Sequence, residues 1–224
     1  MSFKNALKFL SAHPLIDAAI QKEAYVPLDL SLHNNDLKGV DVSSSKDLEA
    51  YIWKYLEQNN ARVAYGGYLE RRGIYRRSSY FNEENKKSER NIHLGLDVWI
   101  EEDTPIYAPL DGTIHSFKNN TNFGDYGPTI ILYHEFDNIQ FYTLYGHLSV
   151  ESIEGISIGS FIKRGQQIAT LGVSDINGDY PPHLHFQIIK DIGDYHGDYP
   201  GVCSNSELQA YKENCPDPNW LLKL

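Results

Sequence analysis

From Val63 onward the chain is written in short runs rich in Tyr, Ile, Val and Thr, each cut off by a glycine-bearing turn signal, and this texture constrains the fold more than any other feature. The runs fall at 63–69, 74–80, 94–100, 105–108, 112–118, 128–134, 139–146, 161–163, 167–171 and 183–190. Gly66-Gly67, Asp111-Gly112, Gly124-Asp125-Tyr126-Gly127 and Asn177-Gly178-Asp179 separate some of them. Strands this short and closely spaced, without the alternating helices that parallel sheets need, predict a mainly β fold: antiparallel sheets forming an open barrel or sandwich with a groove. Residues 1–62 read differently. Ser44-Ser45-Lys46-Asp47 offers a helix cap, and Leu48, Tyr51, Ile52, Tyr55 and Leu56 recur at helical spacing before Asn59-Asn60. The expected organisation is an N-terminal helical segment, 1–62, followed by a β domain, 63–224.

Charge narrows the partners. The formal charge of -10 and pI near 5.3 argue against nucleic acid, whose binding rests on Lys and Arg neutralising phosphates. The one basic run, Arg71, Arg72, Arg76 and Arg77, is expected to be a solvated hairpin face. No stretch reaches the roughly 18 apolar residues of a membrane-spanning helix. The start of the chain is interrupted by His13, Pro14 and Asp17 and reads as an amphipathic helix rather than a signal peptide. A cytoplasmic location is the default expectation, with export by another route left open. Cys203 and Cys215 allow a disulfide in an oxidising compartment without requiring one.

Two histidine-bearing segments carry the chemistry. In a strand through His93-Leu94-Gly95-Leu96-Asp97-Val98-Trp99, residues 93, 95, 97 and 99 share one face, and Gly95 leaves room between His93 and Asp97. In His183-Leu184-His185-Phe186-Gln187-Ile188, both histidines and Gln187 share the face opposite Leu184, Phe186 and Ile188. Imidazole and carboxylate are zinc's preferred nitrogen and oxygen ligands, and neither segment has a packing reason to set them beside an apolar stripe. His134-Glu135-Phe136-Asp137-Asn138 lacks the second histidine of H-E-x-x-H, so His134 reads as a strand-end residue. His13, His33, His115 and His196 have no partner pattern and are assigned to surface or packing.

The ordered set His93 to Asp97, Ala108-Pro109-Leu110-Asp111-Gly112-Thr113-Ile114, Leu144-Tyr145-Gly146-His147-Leu148-Ser149 and His183-Leu184-His185-Phe186 resembles the motif series of the lysostaphin-type M23 peptidases over residues 63–190. The resemblance implies that His93, Asp97 and His185 hold a zinc ion and that His147 and His183 are the two catalytic histidines. The hairpin Gly159 to Ile168 resembles scaffold of that family. Tyr126-Gly127-Pro128-Thr129-Ile130 and Cys215-Pro216-Asp217-Pro218-Asn219 resemble M23-like domains fused to aminotransferase and small-molecule kinase domains.

The expected activity is zinc-dependent hydrolysis of peptide bonds in short or glycine-rich bridges, such as those of peptidoglycan. The alternatives are a non-catalytic metal-binding protein that keeps the fold, a peptidase for a soluble intracellular peptide conjugate, and a biotinyl- or lipoyl-type carrier with Lys163 on its hairpin. Tyr145 and Tyr180 are candidate groove tyrosines. The segment 1–62, or the polar loop 82–91, is expected to cover the groove and place a polar side chain on the fourth zinc position. The division of labour between His147 and His183, and the oligomeric state, stay open.

Overall fold

A computed structural model describes residues 2–78 and 89–224. Its centre is an eight-stranded mixed sheet in the order β1 (Tyr25–Pro27), β2 (Val63–Gly66), β4 (Leu96–Trp99), β11 (His183–Ile189), β8 (Ile139–Gly146), β7 (Gly127–Phe136), β6 (Gly112–Asn120) and β9 (Phe161–Ile162). β3 (Ile92–His93) pairs with β12 (Val202–Cys203), and β5 (Pro105–Tyr107) with β10 (Gln167–Thr170). All pairings are antiparallel except β1 with β2. The sheet does not close into a barrel.

β11 is buried along its whole length, which explains why it alternates two kinds of residue rather than apolar with solvated. Leu184, Phe186 and Ile188 enter the main core with Leu96, Val98, Ile130, Leu132 and Tyr145. The opposite face presents His183, His185 and Gln187, which lie buried on the far side.

Residues 1–62 hold α1 (Phe3–Phe9) and α2 (Ser45–Gln58), as the cap and spacing predict: Ser44 Oγ accepts the Asp47 amide hydrogen, and Leu48, Ile52 and Leu56 are buried. The same segment also supplies β1 to the sheet edge. Leu7, Leu10, Leu15, Ile16 and Ile20 lie in the main core, while Leu48, Ile52 and Leu56 pack with Trp99 and Tyr180. The short C-terminal helices α3 (Leu208–Asn214) and α4 (Asn219–Leu222) follow, with Leu221 in the main core. No helix among the described residues is long and apolar enough to cross a membrane.

Three expectations change. The run at 74–80 is not a strand where it is described: Ile74–Arg77 forms a 3-10 turn. The arginines around it are not a solvated hairpin face. Arg71 and Arg76 are exposed, but Arg72 is buried and the Arg77 side chain almost fully so, because each is paired with carboxylate: Arg72 with Glu70 and Asp97, Arg77 with Asp179. Finally, 94–100 is split at Gly95, with Leu94 in a different core cluster from Leu96 and Val98. Of the loop expected at 82–91, residues 82–88 lie outside the described residues.

Candidate metal centre and its histidines

β4, β11 and β8 bring the site together by register. His185 sits opposite Asp97 on one side and Gly146 on the other, which places His147 just beyond the end of β8. His93 arrives from β3, held by its amide to Glu70 O and by Leu69's amide to its own carbonyl, both at 2.9 Å. The break at Gly95 lets the chain change sheet partner between His93 and Asp97. A Cβ at Gly95 would lie 2.5 Å from His185 Cε1 and 2.6 Å from His185 Nε2, so only glycine leaves the imidazole its place.

Three atoms converge there. His93 Nε2 lies 2.9 Å from His185 Nδ1 and 3.2 Å from Asp97 Oδ1, and His185 Nδ1 lies 3.1 Å from Asp97 Oδ1. The hydrogen bonds on the far side of each ring decide what these atoms carry. His93 Nδ1 is 2.9 Å from Gly67 O, which can only accept, so the proton is on Nδ1 and Nε2 is bare. Gln187 Nε2 donates to Pro200 O at 3.1 Å, which turns Gln187 Oε1 toward His185 Nε2 at 2.9 Å. His185 therefore carries its proton on Nε2 and leaves Nδ1 bare. Two imidazole lone pairs and a carboxylate oxygen thus face one another in a buried space, an arrangement that repels itself until a cation sits among them. Ligand atoms on a tetrahedral zinc with arms of about 2.0–2.1 Å stand about 3.3–3.4 Å apart, close to the spacing here. His93, Asp97 and His185 are a group able to hold a metal ion, and the donor set fits zinc. The two thiols are not part of it: Cys203 and Cys215 are free and buried, and Cys215 Sγ lies 3.3 Å from Gln187 Nε2.

His147 and His183 stand beside this triangle. Their ring centroids are 4.3 Å apart, and His183 Nε2 is 3.8 Å from Asp97 Oδ1. Each is oriented by a carbonyl of the 173–182 loop: His147 Nδ1–H donates to Asn177 O at 2.7 Å and His183 Nδ1–H to Pro181 O at 2.8 Å. Both present a bare Nε2. His147 adopts φ 64, a left-handed conformation that costs a non-glycine residue about 1–2 kcal/mol. Trp99 stacks on His183 at 5.8 Å. Tyr126 packs 5.0 Å from His185, with its hydroxyl donating to Tyr199 O at 3.1 Å.

Burial lowers three of these imidazoles. It pushes His93 down to about 4 against the opposing pull of Asp97, and it lowers His147, aided by His183 and His185, and His183. Burial would raise Asp97, but His93, Arg72 and His183 outweigh it and hold the carboxyl well below the ordinary range. Tyr126 is raised by burial and stays a neutral phenol.

All five residues singled out in the sequence meet in one cavity of about 180 Å³, walled by Tyr126, Tyr180 and Tyr199 among others. Tyr180 is a groove tyrosine as expected. Tyr145 is not: strand alternation turns it into the main core, where its hydroxyl meets Thr143 Oγ1 at 3.0 Å. His134 is no strand-end residue either but is buried within β7, Nδ1–H donating to Asp111 O at 2.7 Å. Among the described residues, 1–62 contributes only Leu30 and Leu48 to the cavity wall, neither of which carries a metal donor. Arg72, Asn177 and Tyr126 carry no site signal in the sequence. Arg72 reads there as one charge in a basic run, and Asn177 and Tyr126 as turn residues.

A β-sheet that gathers two imidazoles and a carboxylate beside two further imidazoles defines a candidate metal centre of the hydrolytic kind. Residues 91–197 match the sequence profile of Peptidase family M23. Curated relatives include an "Uncharacterized metalloprotease" of Haemophilus influenzae, 32% identical over 95 residues covering 42% of this chain and 18% of the relative. Another is the "L-Ala--D-Glu endopeptidase" of Bacillus subtilis, 29% identical over 109 residues covering 46% and 31%. The aligned regions thus span under a third of those relatives' lengths. Among solved structures, the catalytic domain of lysostaphin from Staphylococcus simulans is 25% identical, covering 55% of this chain and 80% of that one at a TM-score of 0.38.

Proposed function

We propose that the protein is a zinc-dependent endopeptidase in which His93, Asp97 and His185 hold the metal and His147 and His183 handle protons. The observation that carries this reading is the set of three bare acceptor atoms, with both imidazoles fixed in that state by a hydrogen bond on the other side of the ring. Bound zinc would polarise the scissile carbonyl and make a hydroxide available near neutral pH. The protein's own residues do the rest. A neutral histidine with a bare Nε2 can take a proton from water, and its Nδ1–H, tied to a backbone carbonyl, keeps the ring in that tautomer. The resulting imidazolium can return the proton to the leaving amine or stabilise the oxyanion. Either histidine can fill either role. Tyr126 keeps its phenolic proton and walls the cavity beside both His147 and His185.

The cavity, about 180 Å³, is smaller than the roughly 300–1,000 Å³ that encloses a drug-sized ligand. That favours small residues at the cleaved bond, as in short or glycine-rich bridges, and peptidoglycan cross-links are the proposed substrate class. A non-catalytic metal-binding role is the weaker reading, because His147 and His183 are oriented with open Nε2 atoms although neither is needed to complete the ligand triangle.

The test is digestion of pentaglycine and of peptidoglycan fragments, followed by mass spectrometry, with wild type, His147→Ala and His183→Ala. Loss of cleavage by a factor of about 100 or more in each variant, with metal content unchanged, is expected for proton-transfer groups. Wild type that carries metal but cleaves neither substrate would move the protein to the binding role or to a different peptide.

A further inference from the structure

Arg72 lies outside the stretch that matches the family profile, yet it is the side chain that meets Asp97 from behind. Asp97 is fully buried, and its two oxygens have separate surroundings. Oδ1 faces His93, His185 and His183, while Oδ2 accepts from Arg72 Nη1. On its other edge the guanidinium donates through Nε to Glu70 Oε2, and Glu70 Oε1 accepts the Leu30 amide hydrogen at 2.9 Å. Trp99, which stacks on His183, also lies under the guanidinium at 5.5 Å. Gly67 makes the space: with φ +98, it would put a Cβ 2.0 Å from Arg72 Nη2. The line from the proposed metal ligand outward is therefore buried Asp97, buried Arg72, partly buried Glu70 and the backbone of the N-terminal segment.

A carboxylate with both oxygens free can grip a metal with one or with two. Two-oxygen binding suits larger ions with higher coordination number, while one-oxygen binding suits four-coordinate zinc. Taking the proposed metal site as given, we propose that Arg72 is a positioning residue that reserves Asp97 as a one-oxygen ligand, anchored through Glu70 to Leu30 of the N-terminal segment. Through Nη1 the guanidinium makes a charge-assisted bond to Oδ2 while Glu70 holds its Nε, so the group that occupies Oδ2 is itself fixed in place. Segment 1–62 then supports the site from outside it, supplying an amide rather than a ligand.

Charge alone would make removal of Arg72 raise the affinity for every divalent ion, so absolute affinity is not the readout. Coordination number and metal preference are. Cobalt-loaded wild type, Arg72→Gln and Arg72→Lys are compared by visible absorption, with zinc and manganese competed against each other in the same proteins. The expected result is the strong absorption of four-coordinate cobalt in wild type, a weaker higher-coordinate spectrum in Arg72→Gln, and partial return in Arg72→Lys. The zinc-over-manganese preference should fall by about 10-fold or more in Arg72→Gln, the scale on which partners of metal ligands act. A folded Arg72→Gln with the wild-type spectrum and preference would overturn the proposal. If Arg72→Gln does not fold, the crystal structure of zinc-loaded wild type decides: Asp97 Oδ1 alone on zinc supports it, and both oxygens on zinc overturn it. Wild type that binds no metal would instead overturn the metal site itself, a result distinct from any of these.

Discussion

At the scale of single residues, the proposed metal site depends on small groups outside its three proposed ligands. Gly95 is one. Its missing Cβ would stand 2.5 Å from the His185 ring and 2.9 Å from Phe186 O, so Gly95→Ala must push His185 away from His93 and Asp97. Zinc affinity is expected to drop at least about 10-fold, measured by competition with a chelator, while the chain stays folded. Wild-type affinity would show that the ring moves aside at no cost. Gln187 is the other. Its Oε1 fixes the proton on His185 Nε2 and so leaves Nδ1 bare for the proposed metal, and Gln187→Leu removes that acceptor. A loss of about 10- to 100-fold in zinc affinity is expected, with Gln187→Glu retaining more than Gln187→Leu. Equal affinity in both variants would mean that the tautomer is set elsewhere.

At the scale of elements, what the sequence reveals depends on how local the signal is. β11 is legible because it alternates strictly: two-residue spacing by itself puts His183, His185 and Gln187 on one face. α2 is legible from its cap and its Leu48, Ile52, Leu56 spacing. β1, β3 and β12 are not, since two- and three-residue strands exist only because a distant partner pairs with them. The 3-10 turn at Ile74–Arg77 is hidden by β-prone Ile74 and Tyr75, and the burial of Arg72 and Arg77 by carboxylates far away in sequence or, as with Glu70, inconspicuous beside them. That the five candidate residues meet in one cavity is legible from their paired patterns, whereas the carbonyls of Asn177 and Pro181 carry no side-chain signature at all. β7 carries an acid-sensitive element in His134, whose imidazole burial pushes down to about 4 despite its bond to Asp111 O. The unfolded chain, titrating near 6.5, binds more protons between those values. The stabilising contribution is therefore complete above pH 6.5 and lost as pH falls toward 4, by roughly 3 kcal/mol at full extent. Urea midpoints measured from pH 7 to 4.5 should fall in wild type and fall less steeply in His134→Gln. Parallel curves would contradict the account, because His93, His147 and His183 contribute with the same sign in both proteins.

At the scale of the whole molecule, residues 1–62 share the interior of the β region rather than resting on it. Leu7, Ile16 and Ile20 lie in the main core, Ile52 and Leu56 pack with Trp99, and Ser45 Oγ donates to Asp179 in the loop that orients His147 and His183. Each such aliphatic side chain stabilises the fold by about 1.5–3 kcal/mol, against a net stability of roughly 5–15 kcal/mol for a domain. A chain starting at Val63 should therefore fail to fold cooperatively, and Ile52→Ala should cost about 2–5 kcal/mol in urea unfolding. A truncated chain that unfolds cooperatively and binds metal as tightly as the full one would show that the segment is dispensable. The central claim, that His93, Asp97 and His185 form a zinc site, is tested most directly by the metal content of the purified protein beside that of His185→Ala. Near one zinc per chain in wild type and almost none in a folded His185→Ala protein is the predicted result. Equal zinc in both, or none in a wild type offered zinc in excess, would contradict it.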